Sequence, residues 1–154
     1  MLSYFILLLM LFFHFKYDFN QEPFLATYKQ KSAWEKHEIG CKWMYRNDYK
    51  VCLWVHSFIW SFTIHIPVLI WGGILFYITD IKLFLENDLF ITAIFSVSIF
   101  VNMIIHYITD DLKANKLKIN LIKDQIIHIA QIIITLGVWY GVWIYIFFYK
   151  LIGD

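Results

Sequence analysis

The chain has 154 residues, of which 60% are hydrophobic, 21% aromatic and only 16% charged. Soluble domains carry about 25% charged residues, so an ordinary soluble enzyme is excluded and a single membrane domain is expected. A formal charge of +1 gives no footing for nucleic-acid binding, and Cys41 and Cys52, with no CxxC spacing, read as stray thiols.

Residues 1–13 are apolar and uncharged, without the basic n-region and small-residue cleavage site of a signal peptide. The run continues past His14 to Phe19, broken by Lys16 and Asp18, so residues 2–19 are read as a first span. Residues 20–50 are polar, basic and aromatic. Pro23 suits a helix start and Gly40 a stop. Between them Phe24, Leu25, Tyr28 and Trp34 alternate with Lys29, Lys31, Glu35 and Lys36, predicting an amphipathic surface helix over about 23–39. Trp43, Tyr45 and Tyr49 fit an aromatic belt, and His37, among charges, reads as solvated.

A second span covers about 51–79, with Pro67 and Gly72-Gly73 as kink points. It holds His56 and His65, nine residues apart and so on opposite faces; His65 reads as a packed, hydrogen-bonded histidine. An acidic turn follows from Asp80 to Asp88. Spans three and four cover about 89–109 and 121–149, each longer than the ~20 residues that cross a bilayer. Gly137 and Gly141 offer a weak G-x-x-x-G packing motif in span four.

Cations set the orientation. Lys16, Lys29, Lys31, Lys36, Lys42, Arg46 and Lys50 lie between spans one and two, and Lys113, Lys116, Lys118 and Lys123 at the loop between spans three and four. Only Lys82 and Lys150 lie on the other side. The positive-inside rule then predicts cytoplasmic basic loops, outward termini and insertion in the cell (inner) membrane.

That orientation brings seven ionisable groups to one depth. His14 and Asp18 close span one, His56 opens span two, His106 and Asp110 close span three, and Asp124 and His128 open span four. Three of these helices carry a His/Asp pair at i, i+4, which share a helix face. Ser98, Asn102, His106, Asp110 and Lys113 make a polar stripe on span three; Asp124, His128, Gln131 and Thr135 make another, and span two adds His56, Trp60 and Thr63. Charges inside apolar spans are costly and face a bundle interior or a wet cavity.

Imidazoles and carboxylates at one level suit a divalent metal such as Zn, Mn or Fe. The expected ligands are His14, His106, Asp110, Asp124 and His128, with Asp18 and His56 as catalytic, ligating or supporting groups. Lys16, Lys113, Lys123 and Gln125 would receive a phosphate or lipid head group. A metal-activated water would then hydrolyse an ester or phosphoester. Two other classes stay open. In one, the His/Asp groups only fasten a non-enzymatic phage- or plasmid-encoded factor that binds another membrane protein. In the other, a homo-oligomer conducts ions or protons, although only His65 continues the path outward.

The order of the motifs His14-Phe-Lys-Tyr-Asp18-Phe19, His56, His106-Tyr-Ile-Thr-Asp110-Asp-Leu-Lys113 and Asp124-Gln125-Ile-Ile-His128 resembles the domain of unknown function 3307 family. These are small polytopic membrane proteins of bacteria and their phages. In that family the first motif continues into a glutamine four residues after the aspartate; here Glu22 occupies that place and Gln21 precedes it. The resemblance implies a multi-spanning helical protein and no established activity. A looser likeness to membrane-bound metal-dependent hydrolases is analogy only. The fold expected is an all-α, polytopic membrane bundle: four transmembrane helices plus one amphipathic surface helix.

Overall fold

A computed structural model describes residues 2–19, 23–36, 46–79 and 88–153. The expected belt residues Trp43 and Tyr45, the stop at Gly40, His37, Cys41, Gln21, Glu22, Lys42, Lys82 and the acidic turn over 80–87 lie outside the described residues. The regular structure among the described residues is all helical: α1 (Leu2–Phe19), α2 (Pro23–Tyr28), α3 (Lys31–Lys36), α4 (Asp48–Thr79), α5 (Asp88–Ala114) and α6 (Leu121–Gly153).

Three helices are long and apolar enough to cross a membrane, over Asp48–Leu75, Leu89–Ala114 and Leu121–Phe148. At 1.5 Å per residue each is roughly 40 Å long, more than the ~30 Å of a hydrocarbon core. α1 has 18 residues, or ~27 Å, and falls short of that thickness. The single surface helix expected over 23–39 is instead two six-residue helices, α2 and α3, separated by a turn at Lys29-Gln30. The turn forms because Asn115, just past the end of α5, accepts a hydrogen bond from the Lys31 amide (2.7 Å) and donates to the Lys29 carbonyl (3.2 Å). Those bonds replace helix bonds that a continuous element would need.

α4 is the central element and packs against α1, α2, α5 and α6. Its Trp60, Ile64 and Val68 meet Ile6 and Met10 of α1, Ile91 of α5, and Ile132, Trp139, Val142, Trp143 and Ile146 of α6. Phe5, Leu8 and Phe12 on α1 and Phe58 and Phe62 on α4 stay exposed, as apolar faces do against lipid. α4 runs unbroken through Pro67. Gly72 makes the closest approach: a Cβ there would overlap the Trp143 indole. Gly137 and Gly141 face open space, so the G-x-x-x-G spacing is not a packing motif among the described residues.

The loop between α5 and α6 is short enough to hold them antiparallel. Leu117 takes a left-handed backbone (φ 52°) and the Lys118 amide returns to the Leu112 carbonyl at 2.8 Å. Asn120 then caps α6, its Oδ1 accepting from the Lys123 amide at 3.0 Å. The end of α1, the start of α4, the end of α5 and the start of α6 therefore share one end of the bundle.

Candidate metal centre

All seven predicted His/Asp residues meet at that end. His14, His106, Asp110, Asp124 and His128 are fully buried and His56 nearly so; the Asp18 side chain is 2% exposed. The two pairs on α5 and α6 behave as their spacing predicts: His106 Nε2 lies 3.7 Å from Asp110 Oδ2, and His128 Nε2 lies 3.4 Å from Asp124 Oδ1. Contacts between helices are as close. Asp110 reaches His128 Nε2 with Oδ1 (3.5 Å) and His56 Nε2 with Oδ2 (3.3 Å), and Asp18 Oδ1 lies 3.7 Å from His56 Nε2. Trp60 stacks on His106 and His106 on His128, each at 4.2 Å between centroids, which fixes the planes of both imidazoles.

The residue that sequence reasoning missed is Lys29. Read as one surface cation among many, it is 6% exposed and its ammonium enters the centre from the α2–α3 turn. Nζ donates to Asp110 Oδ2 at 2.5 Å and to His56 Nε2 at 2.9 Å, and lies 4.0 Å from Asp18 Oδ1. One signal for it existed. Leu25 and Lys29 share a helical face, and Leu25 is buried against the bundle. Lys113 enters from α5, donating to Asp124 Oδ2 at 2.5 Å with Asp110 Oδ1 at 3.9 Å.

The hydrogen bonds fix the imidazole tautomers. Ammonium can only donate, so His56 Nε2 accepts from Lys29 and carries its proton on Nδ1. Trp60 Nε1 donates to His14 Nδ1 at 2.9 Å, so His14 Nε2–H donates to Gln125 Oε1 at 3.0 Å. The Gln125 amide then donates to Asp18 Oδ2 (2.8 Å) and Asp124 Oδ2 (3.0 Å). Gln131 donates to the Asn102 carbonyl (3.1 Å) and Oδ1 (3.2 Å), leaving its Oε1 to accept from His128 Nδ1–H at 3.1 Å. His128 Nε2 thus points at two carboxylate oxygens.

Two sets of donor atoms lie within 4.8 Å of one another: Asp18, His56, His106 and Asp110, and Asp18, Asp124 and His128. Lys29 already supplies the first with a cation. In the second, Asp18 Oδ1, Asp124 Oδ1 and His128 Nε2 are buried without hydrogen-bond partners, as are Asp110 Oδ1 and both nitrogens of His106 in the first. Buried polar atoms are nearly always partnered, so this convergence needs a cation or a proton to complete it. Three carboxylates against two ammonium groups leave one negative charge unmatched.

The remaining expected residues fall into three groups. His14 is at the centre with both its nitrogens hydrogen-bonded, outside the two donor sets, and its Nε2–H orients Gln125. Gln125 and Lys113 touch the carboxylates directly. Lys16 and Lys123 are exposed and contact none of the cluster among the described residues. His65 is fully buried and satisfied, donating from Nδ1 to the Ser61 carbonyl (2.6 Å) and accepting from Ser98 (2.7 Å). At the rim Asp111 pairs with Lys116 at 2.7 Å, and that hydrogen bond holds the Lys116 ammonium above the usual lysine range.

Comparison with protein-family models, curated proteins and solved structures gives no match. The site stands on its own geometry.

Proposed function

We propose that this centre holds one divalent metal ion, and that the protein is a membrane-embedded hydrolase acting on a phosphate or lipid head group at the cytoplasmic leaflet. One observation carries the reading. His128 Nε2 stands 3.4 and 3.5 Å from Asp124 Oδ1 and Asp110 Oδ1, all three without partners. Those separations exceed hydrogen bonds of 2.7–3.2 Å. They match the ~3.3 Å edge of a tetrahedron with ligand distances of 2.0–2.1 Å. Gln131 on the far nitrogen of His128 is the outer partner that a ligating histidine requires.

His128, Asp124 and Asp18 would hold the ion, with Asp110 Oδ1 beside His128 at 3.5 Å, and their mixed imidazole and carboxylate donors suit Zn, Mn or Fe. An ion bound there would lower the pKa of a bound water toward neutrality. His106, its two nitrogens uncommitted, would take the proton that such a water loses; Lys29 and Lys113 pair with Asp110 and Asp124. In this reading α1 is a fourth, short span, and the eleven cations between spans one and two and at the α5–α6 loop favour a cytoplasmic centre. Metal analysis of detergent-purified protein is the test. We expect one equivalent in the wild type and loss of it in Asp124→Asn and His128→Ala. Metal-free wild type, purified without chelator, rules the proposal out.

A second reading is favoured by Lys29. If His128 carries a proton on Nε2, the last unmatched charge is cancelled without metal, and the cluster is an ion-pair network fastening α1, the α2–α3 turn, α4, α5 and α6. It predicts that Asp124→Asn lowers thermal stability in detergent and that no metal copurifies.

A further inference from the structure

The face of α5 and α6 turned away from α1 carries a groove of about 530 Å³, lined by Val97, Val101 and Ile105 of α5 and Ile134 and Val138 of α6. It exists because α5 is the least covered of the three long helices: 17% of an apolar 18-residue stretch of it is buried within the protein, against 44% in α4 and 39% in α6. The polar residues on the floor are turned onto one another. Asn102 donates to Thr135 at 2.9 Å, and Gln131 to Asn102, so the open surface is hydrocarbon. From Phe90 to Ile105 the groove runs ~22 Å along α5, enough for one acyl chain reaching to mid-bilayer in a ~30 Å core.

Its position couples it to the centre. The last groove residues, Asn102 and Ile105 on α5 and Gln131 on α6, lie one turn or less from His106 and His128. Beyond them Lys123 lies three turns before Ile134 on the same face of α6, exposed and without an acidic partner among the described residues. Lys123 is ~12 Å along the axis from Gln131, a gap that a glycerol ester linkage and a snorkelling lysine together close.

We infer that the groove seats one acyl chain of an anionic glycerophospholipid, with its phosphate against Lys123 and its ester linkages beside the His/Asp centre. The inference rests on the hydrolase reading for its meaning: this lipid would be the substrate. As a binding site it stands apart from the metal.

The test uses the full chain in phosphatidylcholine nanodiscs containing a trace of phosphatidylglycerol with a diazirine midway along one chain. After photolysis, label on Val97, Val101 and Val138 should exceed label on Phe5, Leu8 and Phe12, which are comparably open to lipid on α1. Unlabelled phosphatidylglycerol should remove the excess and added phosphatidylcholine should not. Lys123→Gln, at an exposed position that leaves the fold intact, should cut it about fivefold, the worth of one lysine at an anionic surface. Equal labelling of both faces, equal competition by phosphatidylcholine, or a groove shielded by a second copy in a cross-linked dimer would each overturn the inference. The measurement is made with and without EDTA. Groove labelling in protein that binds no metal keeps the lipid site and rejects the hydrolase; an unlabelled groove in metal-loaded protein does the reverse.

Discussion

Replacing Lys29 with methionine tests the least expected contact in the protein. The change keeps an unbranched side chain of similar length and removes the charge. Asp110 would then face the lone pair of His56 with its nearest cation gone, since Lys113 is 3.9 Å away and held by Asp124. Both partners are buried, 7% and 0% exposed at the side chain. Removing one member of such a pair costs about 3–5 kcal/mol, because the other is left as an uncompensated buried charge. Asp110→Asn should cost a similar amount by stranding the ammonium. The double variant Lys29→Met/Asp110→Asn should cost about 2–3 kcal/mol less than the two single changes added together. Reversible unfolding in mixed detergent–SDS micelles, followed by tryptophan fluorescence, reads all three. Lys31→Met is the control: its partner Glu35 is an exposed i, i+4 neighbour, and the loss should be no more than about 0.5 kcal/mol. Single effects that add to within about 0.5 kcal/mol would mean that Lys29 does not reach Asp110, and the account of the α2–α3 turn would fall with it.

Gln131→Leu removes the acceptor on His128 Nδ1 while leaving every proposed ligand residue in place; metal affinity, by competition with a chromophoric chelator, should fall about 10–100-fold. Gly72→Ala drives a methyl into the Trp143 ring and should destabilise by about 1–3 kcal/mol in the same unfolding assay, whereas Gly141→Ala, in open space, should cost nothing measurable. Asn120→Ala strips the cap from α6 and should cost about 1 kcal/mol, with faster amide exchange confined to its first turn.

The long helices were legible because their apolar runs are long and their punctuation is plain. The cluster was legible because a period of four puts His106 over Asp110 and Asp124 over His128, and the order of the spans sets those pairs at one end of the bundle. What the sequence hid is tertiary. Lys29 looks like its neighbours Lys31 and Lys36; only Asn115, nearly ninety positions later, makes the turn that aims it inward. His14 has the same spacing to Asp18 that marks the other pairs, yet Trp60 and Gln125 take both its nitrogens. Spacing places a ring on a face and leaves open what each nitrogen meets. The surface helix failed for a related reason: amphipathic alternation over 23–39 is also what two short turns produce when one of their cations is drawn inside.

Because Asp18 and Lys29 enter the centre from the first part of the chain, α4 to α6 alone would hold Asp110 and Asp124 with Lys113 as the single answering cation. The centre is therefore complete only once α1 and the α2–α3 turn have docked on the later helices. A shortened protein beginning after Lys29 would leave Asp110 without its nearest cation even though the three long apolar helices were intact.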